Sequence, residues 1–412
     1  MNRLIRCSSV FLGVLFFISI LTGCYDNREI EDLAYVIAIG IDEAEGDNFN
    51  LTFQTAVPQA ITEGGGEGTD ITSYKTDNFL SGLKKSGQYL SRNINLSHTK
   101  VIVVSESIAK KGITAFVNGL QQGMQIRQDI NIIVAAEGAK KYLESIQPKI
   151  SSNPSKYYEL LFQSYESDFL IPQARLEKYL YRAKNKDAQP LAIYTAVDKT
   201  IVKTKKPEDN GEEGKQGTTG KEEEKKSGGG GSKKGGEGEH KKMSLSGLAV
   251  FKSDKMVGRL TPKEASIFAL MTGTNNINLE IADPLDSRYK VLSNLKKEKT
   301  SRTKVTFKNG KPIITIDLNM DISVQSVQSD YDYDNPKNAD ILNKAYREML
   351  EKEIQKLLSK ATYEYKSDIF GYGILARRNF LSIDEWEKAK WTDAFSESKY
   401  NLRLNTEVIQ QE

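Results

Sequence analysis

Residues 203–242 contain almost nothing but Lys, Glu, Gly, Thr, Ser and Gln, including the run Gly228-Gly229-Gly230-Gly231. Such a stretch cannot bury enough apolar surface to offset the entropy of ordering it, so it does not fold on its own. Over that length a flexible coil has a dimension of roughly 35 Å. No domain core accommodates that, so the segment is an exposed insertion or an interdomain linker. The chain is thereby divided into residues 24–202 and residues 243–412, preceded by residues 1–23. With 412 residues, 38% of them hydrophobic, it is long enough for two or three cores.

Residues 1–23 have the order of a secretion signal. Arg3 and Arg6 form a short positive region, and residues 10–21 are mostly apolar. That run is shorter than the roughly 20 residues of a spanning helix, so cleavage is expected rather than retention. The run ends in Leu21-Thr22-Gly23-Cys24, which matches the bacterial lipobox. Its expected processing is acylation of the Cys24 thiol and cleavage after Gly23. The other cysteine, Cys7, lies inside the signal. The mature chain therefore has no disulfide framework and no cysteine for a metal site or nucleophile. Two or three acyl chains, at about 0.8 kcal/mol per buried CH₂, hold a protein stably on a bilayer. The expected location is membrane-anchored, not membrane-spanning.

Charge narrows the partners. The 58 basic and 55 acidic side chains nearly cancel, leaving +3. No basic field of the kind nucleic acid requires is present, so nucleic acid is not an expected partner.

Both halves read as α+β, with mixed β-sheets and packed helices. In the first, residues 34–42 and 50–57 are apolar, rich in β-branched residues and separated by a polar turn near Gly46, which predicts paired strands. Gly64-Gly65-Gly66-Glu67-Gly68 predicts a flexible loop. Phe79, Leu83 and Leu90 predict an amphipathic helix over 78–90, Val101-Ile102-Val103-Val104 a buried strand, residues 107–120 a helix, and 130–135 a strand. Residues 144–194 read as largely helical, bounded by Pro148, Pro154, Pro172 and Pro190, with Tyr157-Tyr158-Glu159-Leu160-Leu161-Phe162 expected to face the core. In the second half, residues 243–252 and 256–260 predict strands around an Asp254-Lys255 turn. Thr261-Pro262-Lys263-Glu264 carries an N-cap, a first-turn proline and a capping-box glutamate. Asn309-Gly310 predicts a hairpin, and Ile314, Ile316, Leu318, Met320, Ile322 and Val324 alternate with polar residues after it. Residues 335–365 carry apolar residues at helical steps; Gly371-Tyr372-Gly373 is a breaker, a helical piece holds Trp386 and Trp391, and residues 402–408 form a closing strand.

Catalytic patterns are missing. There is no P-loop, dinucleotide fingerprint, nucleophile elbow or metal-ligand cluster, and no cofactor is expected. The two histidines are His98, read as a hydrogen-bonded structural residue, and His240 inside the low-complexity segment. Carboxylates are abundant but carry no specific glycosidase-like pairing.

Several stretches together resemble one family. Cys24-Tyr25-Asp26-Asn27-Arg28-Glu29-Ile30-Glu31-Asp32-Leu33, then Ile37-Ala38-Ile39-Gly40-Ile41-Asp42, is similar to the mature N-terminus of the Ger(x)C family, lipoprotein C subunits of nutrient germinant receptors in endospore-forming bacteria. Ser97-His98-Thr99-Lys100, Gly247-Leu248-Ala249-Val250-Phe251-Lys252 with Gly258-Arg259-Leu260, and Ser367-Asp368-Ile369-Phe370-Gly371-Tyr372-Gly373 ahead of Trp386 and Trp391 follow in the same order. Tyr25 stands where a tryptophan is common, and the 203–242 insertion is a second departure. The resemblance implies about three α+β subdomains and a non-enzymatic receptor subunit on the outer face of the spore inner membrane. It would work with membrane-embedded A and B subunits in nutrient-triggered germination. Cys24 is the one functional residue carried over, and direct binding of a small molecule is left open. The alternative is a lipid-anchored extracytoplasmic solute-binding protein, which would have two lobes closing on a polar cleft.

Overall fold

In a computed structural model, residues 33–46, 48–56, 69–113, 116, 126–146, 154–166, 174–197, 243–273 and 276–409 are described. Cys24, Gly64 to Gly68, residues 203–242 and His240 lie outside them. The elements of the first half are β1 (Leu33–Glu43), β2 (Phe49–Ala56), β3 (Thr69–Thr76), α1 (Phe79–Leu90), β4 (Asn93–Asn95), β5 (Val101–Ser105), α2 (Glu106–Lys111), β6 (Asn131–Ala135), α3 (Ala139–Ser145), α4 (Pro154–Glu166), α5 (Leu176–Lys184) and β7 (Leu191–Val197). The second half continues with β8 (Met243–Lys252), β9 (Lys255–Leu260), α6 (Pro262–Thr272), β10 (Ile277–Ala282), β11 (Lys290–Lys297), β12 (Arg302–Lys308), β13 (Lys311–Val327), α7 (Pro336–Ser359), α8 (Tyr372–Ala376), α9 (Ile383–Lys388), α10 (Trp391–Ala394) and β14 (Lys399–Ile409). The α+β expectation, mixed sheets with packed helices, is met.

The first sheet runs β3-β2-β1-β5-β6-β7-β8-β9, with β4 beside β1. Its centre, β1-β5-β6-β7, is parallel and its flanks are antiparallel. Parallel strands covered on both faces lose the alternation of a half-wet sheet, and every residue of β5 and of β6 is buried. Ile102, Val104, Ile132 and Val134 point to a core that includes Leu83 of α1, Ile108 of α2 and Tyr179 of α5. Val101, Val103, Ile133 and Ala135 point the other way, to Leu143 of α3 and Tyr158 and Phe162 of α4. Within the 157–162 stripe, Tyr158 and Phe162 are buried as expected, whereas Leu160 is exposed.

The second sheet orders as β10-β11-β13-β12, with β14 parallel to β13 along its other edge. The alternation read for β13 is present: Ile314, Ile316, Leu318, Met320 and Ile322 are all buried. Asn309 and Gly310 both take positive φ, 52° and 76°, as a two-residue hairpin loop requires.

Strands β8 and β9 belong by hydrogen bonding to the first sheet, although they follow residues 203–242 in the chain. Alternation along β8 sends Ala249 and Phe251 into the first-half core and Leu248 and Val250 into the core of the second half. Helix α6 sits on that second face and is apolar nearly all round, with Ala265, Ile267, Phe268, Ala269, Leu270 and Met271 buried. A helix of that kind is enclosed rather than half-wet.

The predicted capping box opens α6: the Thr261 hydroxyl accepts from Glu264 N–H and the Glu264 carboxylate accepts from Thr261 N–H. Glu264 also pairs with Lys360 at 3.0 Å, in a π-helical turn, Lys360–Glu364, that ends α7. Burial would raise the Glu264 pKa, but the Thr261 N–H and the Lys360 ammonium outweigh it and hold the carboxyl below its ordinary 4.5. The folded chain thus keeps Glu264 ionised at lower pH than the unfolded chain does. Its contribution is complete above about pH 4.5 and is lost as pH falls through the lowered folded value. The prediction is that Glu264→Gln flattens the acid limb of unfolding midpoint against pH. Lys360→Ala, which leaves a buried carboxylate without its cation, should cost about 3 kcal/mol near neutral pH. An unchanged acid limb in Glu264→Gln would refute this account.

Candidate functional site

Stretches far apart in the chain converge on the seam between the two sheets. At its centre is Asp368, 3% exposed. One carboxylate oxygen, Oδ1, accepts from the backbone N–H of Gly371 (2.9 Å) and Tyr372 (3.1 Å). The other, Oδ2, accepts from Gly373 N–H (2.8 Å) and the Trp391 indole (2.9 Å). Gly371 can start α8 this way because its φ of 75° is left-handed, which costs glycine little. Burial pushes the Asp368 pKa up, opposed by the Gly373 N–H, the Trp391 indole, the Tyr372 N–H and Arg182 nearby. Both oxygens are held by fixed donors, so Asp368 organises a loop and is not placed to take a proton from a substrate.

The backbone around Asp368 grips the first half. Its carbonyl accepts from Gln189 N–H at 2.8 Å. Arg182, on α5, donates to the carbonyls of Gln189 (3.2 Å) and Ile369 (2.9 Å). Ser367 donates to the Phe251 carbonyl on β8 at 2.6 Å, and the Gln189 side chain accepts from Ser253 N–H at 2.6 Å. Buried Asp187 accepts from the Trp386 indole at 3.0 Å and faces Arg377 at 3.5 Å. Trp386 and Trp391 stack with centroids 5.9 Å apart. The seam is filled by these side chains, which is not the polar cleft expected of a two-lobed solute-binding protein.

The other recurring stretches are architectural as well. Gly40 lies under α3, where an added Cβ would meet Leu143 at 3.0 Å and Ala139 at 3.3 Å. Asp42 accepts from the Ala139 and Lys140 N–H groups at 2.6 and 2.8 Å, capping α3. Thr99 donates to the Val36 carbonyl at 3.1 Å, tying the turn before β5 to β1, and Lys100 pairs with Glu159 at 2.6 Å. His98, expected to be a hydrogen-bonded structural residue, is exposed and packs edge-to-face on Tyr35 at 5.1 Å. Among the described residues there is no group of three or more His, Cys, Asp or Glu able to hold a metal, and no helix is long and apolar enough to cross a membrane.

Sequence reasoning missed Asp187, Gln189 and Arg182. The signal that was available was Asp368 itself: an acid followed by Gly-Tyr-Gly and then by two tryptophans, a set of donors spaced to enclose it.

Known proteins match over nearly all of this architecture. The model of the spore germination protein N-terminal domain matches residues 26–197, and that of the spore germination B3/GerAC-like C-terminal domain matches residues 246–412. Spore germination protein KC of Bacillus subtilis (strain 168) is 25% identical over 397 residues, covering 92% of this chain and 90% of that protein. Spore germination protein B3 of the same organism is 22% identical, covering 98% of each, and spore germination protein GerQC of Bacillus cereus is 23% identical, covering 95% of each. The crystal structure of the GerBC protein has the same fold, with a TM-score of 0.51 and 18% identity over 90% of this chain and 96% of that one. The chain belongs to the Ger(x)C family of spore germination proteins.

Proposed function

We propose that this chain is the lipid-anchored C subunit of a nutrient germinant receptor. The observation that carries the reading is the match of two spore germination domains on either side of residues 203–242, together spanning nearly the whole chain. The Leu21-Thr22-Gly23-Cys24 lipobox supplies the anchor: the Cys24 thiol is acylated and the bond between Gly23 and Cys24 is cut, and the folded part stands on the outer face of the spore inner membrane. There it contacts the integral-membrane A and B subunits and helps couple nutrient sensing to germination, with no catalytic step of its own. The seam supports this, because the bonds of Asp368, Arg182 and Gln189 join the two halves directly, so that a contact made on one half bears on the other.

Membrane fractionation of dormant spores tests the reading, in a strain lacking other germinant receptors. Cys24→Ala is expected to move the protein out of the membrane fraction and to slow nutrient-triggered germination at least about tenfold, since the loss of about 0.8 kcal/mol per CH₂ removes nearly all membrane binding. Release from the membrane with germination unchanged would count decisively against the receptor role.

A further inference from the structure

The outer edge of β14 is a long, regular and uncovered strand. Its pairing with β13 runs over Lys399 to Ile409 without a register shift, and no proline interrupts it. Along 401–409 no described strand or side chain is bonded to its far side. Two other outer strands, β9 and β12, carry side-chain bonds on their edges. On β9 the Tyr365 hydroxyl donates to the Arg259 carbonyl at 2.7 Å and accepts from its N–H at 3.2 Å, and on β12 Asn379 donates to the Val305 carbonyl at 3.1 Å. Leu402, Leu404 and Val408, on the inward face of β14, are only partly buried against the core. An unguarded edge with a half-covered apolar row is a template for another strand.

We propose that β14 pairs antiparallel with β14 of a second copy of this chain, about a two-fold axis at Asn405. The outward face determines this choice. In that register Asn405 meets Asn405 of the other copy, and Arg403 meets Glu407 twice, once on each side of the axis. Inside, Leu402 meets Val408 and Leu404 meets Thr406, so the apolar row is covered by itself. Opposite charges directly across an antiparallel pair stabilise it, and like charges there destabilise it. Isologous pairing of this kind closes on itself and merges the two sheets into one. Grooves of about 670 Å³ and 600 Å³ lie between the two ends of the strand and α7, the first beside Tyr400 to Arg403, the second beside Glu407 to Ile409.

The test uses the full chain in membranes, with Asn405→Cys as reporter under mild oxidation and Asn401→Cys as control, because position 401 faces 409 rather than itself. Asn405→Cys should give a disulfide-linked species of doubled mass, at least about tenfold more abundant than with Asn401→Cys. In the Asn405→Cys background, Arg403→Glu or Glu407→Arg alone should reduce that species roughly tenfold, and the two together should restore it. Restoration separates edge pairing from misfolding, since the double variant carries both changes. A band of different mass from Asn405→Cys, meaning that another protein occupies the edge, overturns the proposal. So does the absence of any doubled species, or single charge reversals that leave it unchanged.

Discussion

Asp368→Ala is expected to cost about 4 kcal/mol of folding stability, read as a lowered midpoint in denaturant unfolding of the chain. The substitution removes one carboxylate but strands four donors: the N–H groups of Gly371, Tyr372 and Gly373 and the Trp391 indole. Each buried donor left without an acceptor costs roughly 1–3 kcal/mol. The half-buried guanidinium of Arg182 loses its nearby counter-charge in the same change. Partial relaxation and water entry keep the total below the sum. Asp368→Asn is expected to be milder, about 2–3 kcal/mol, because an amide presents one acceptor oxygen where the carboxylate presents two. The effect should be felt across the seam. Gln189, held by the Asp368 carbonyl, and Ser253, held by the Gln189 side chain, are expected to exchange their amide hydrogens faster in the variant. An Asp368→Ala protein within about 1 kcal/mol of the parent would mean that the loop is supported by something other than these bonds.

Gly247→Ala is expected to be at least as severe, about 4 kcal/mol or more, and to reduce the yield of folded protein. Gly247 has φ of 123°, where L side chains are strained, and an added Cβ would run into the Leu260 carbonyl oxygen on β9, far inside van der Waals contact. Backbone atoms cannot swing aside as a side-chain tip can, so β8 and β9 would have to separate. That separation would expose Leu248, Val250 and Leu260, all within the core that α6 fills. Gly258, the other glycine of the same pair of strands, packs against the Tyr365 ring, and an added Cβ there would collide with it. The contrast is Gly310 in the β12–β13 loop, where an added Cβ meets nothing and only its φ of 76° is unfavourable. Gly310→Ala should therefore cost only about 1 kcal/mol. Unfolding midpoints of the two variants side by side check the ranking.

Much of the local structure was legible because it is written in local spacing. The Thr261 capping box, the Asn309-Gly310 loop, the alternation of β13 and the three- and four-residue steps of α7 each depend on residues within a few positions of one another. The strands that escaped notice depend on distant partners. β7 lies at the end of a stretch that reads as helical, yet Leu191 to Val197 is a strand because β6 and β8 offer it hydrogen bonds on both sides. β3 is polar and mostly half-exposed, so it carries no apolar alternation to detect; it forms by pairing with β2. The hairpin β10–β11 likewise becomes strand by pairing, β10 with β11 and β11 with β13.

By itself the sequence determined the α+β class, the low-complexity composition of residues 203–242 and the family to which the chain is similar, and it holds the Leu21-Thr22-Gly23-Cys24 match on which the proposed anchor rests. These rest on composition, order and periodicity, which survive without coordinates. Only the tertiary structure decided that β8 and β9 complete the first sheet while their other face belongs to the second core. It also decided that Asp368 meets Gln189 and that the edge of β14 stays open. The physical reason is that a residue's partner across 180 positions is chosen by shape, burial and hydrogen-bond geometry at the meeting surfaces, and neither partner's local sequence records the other.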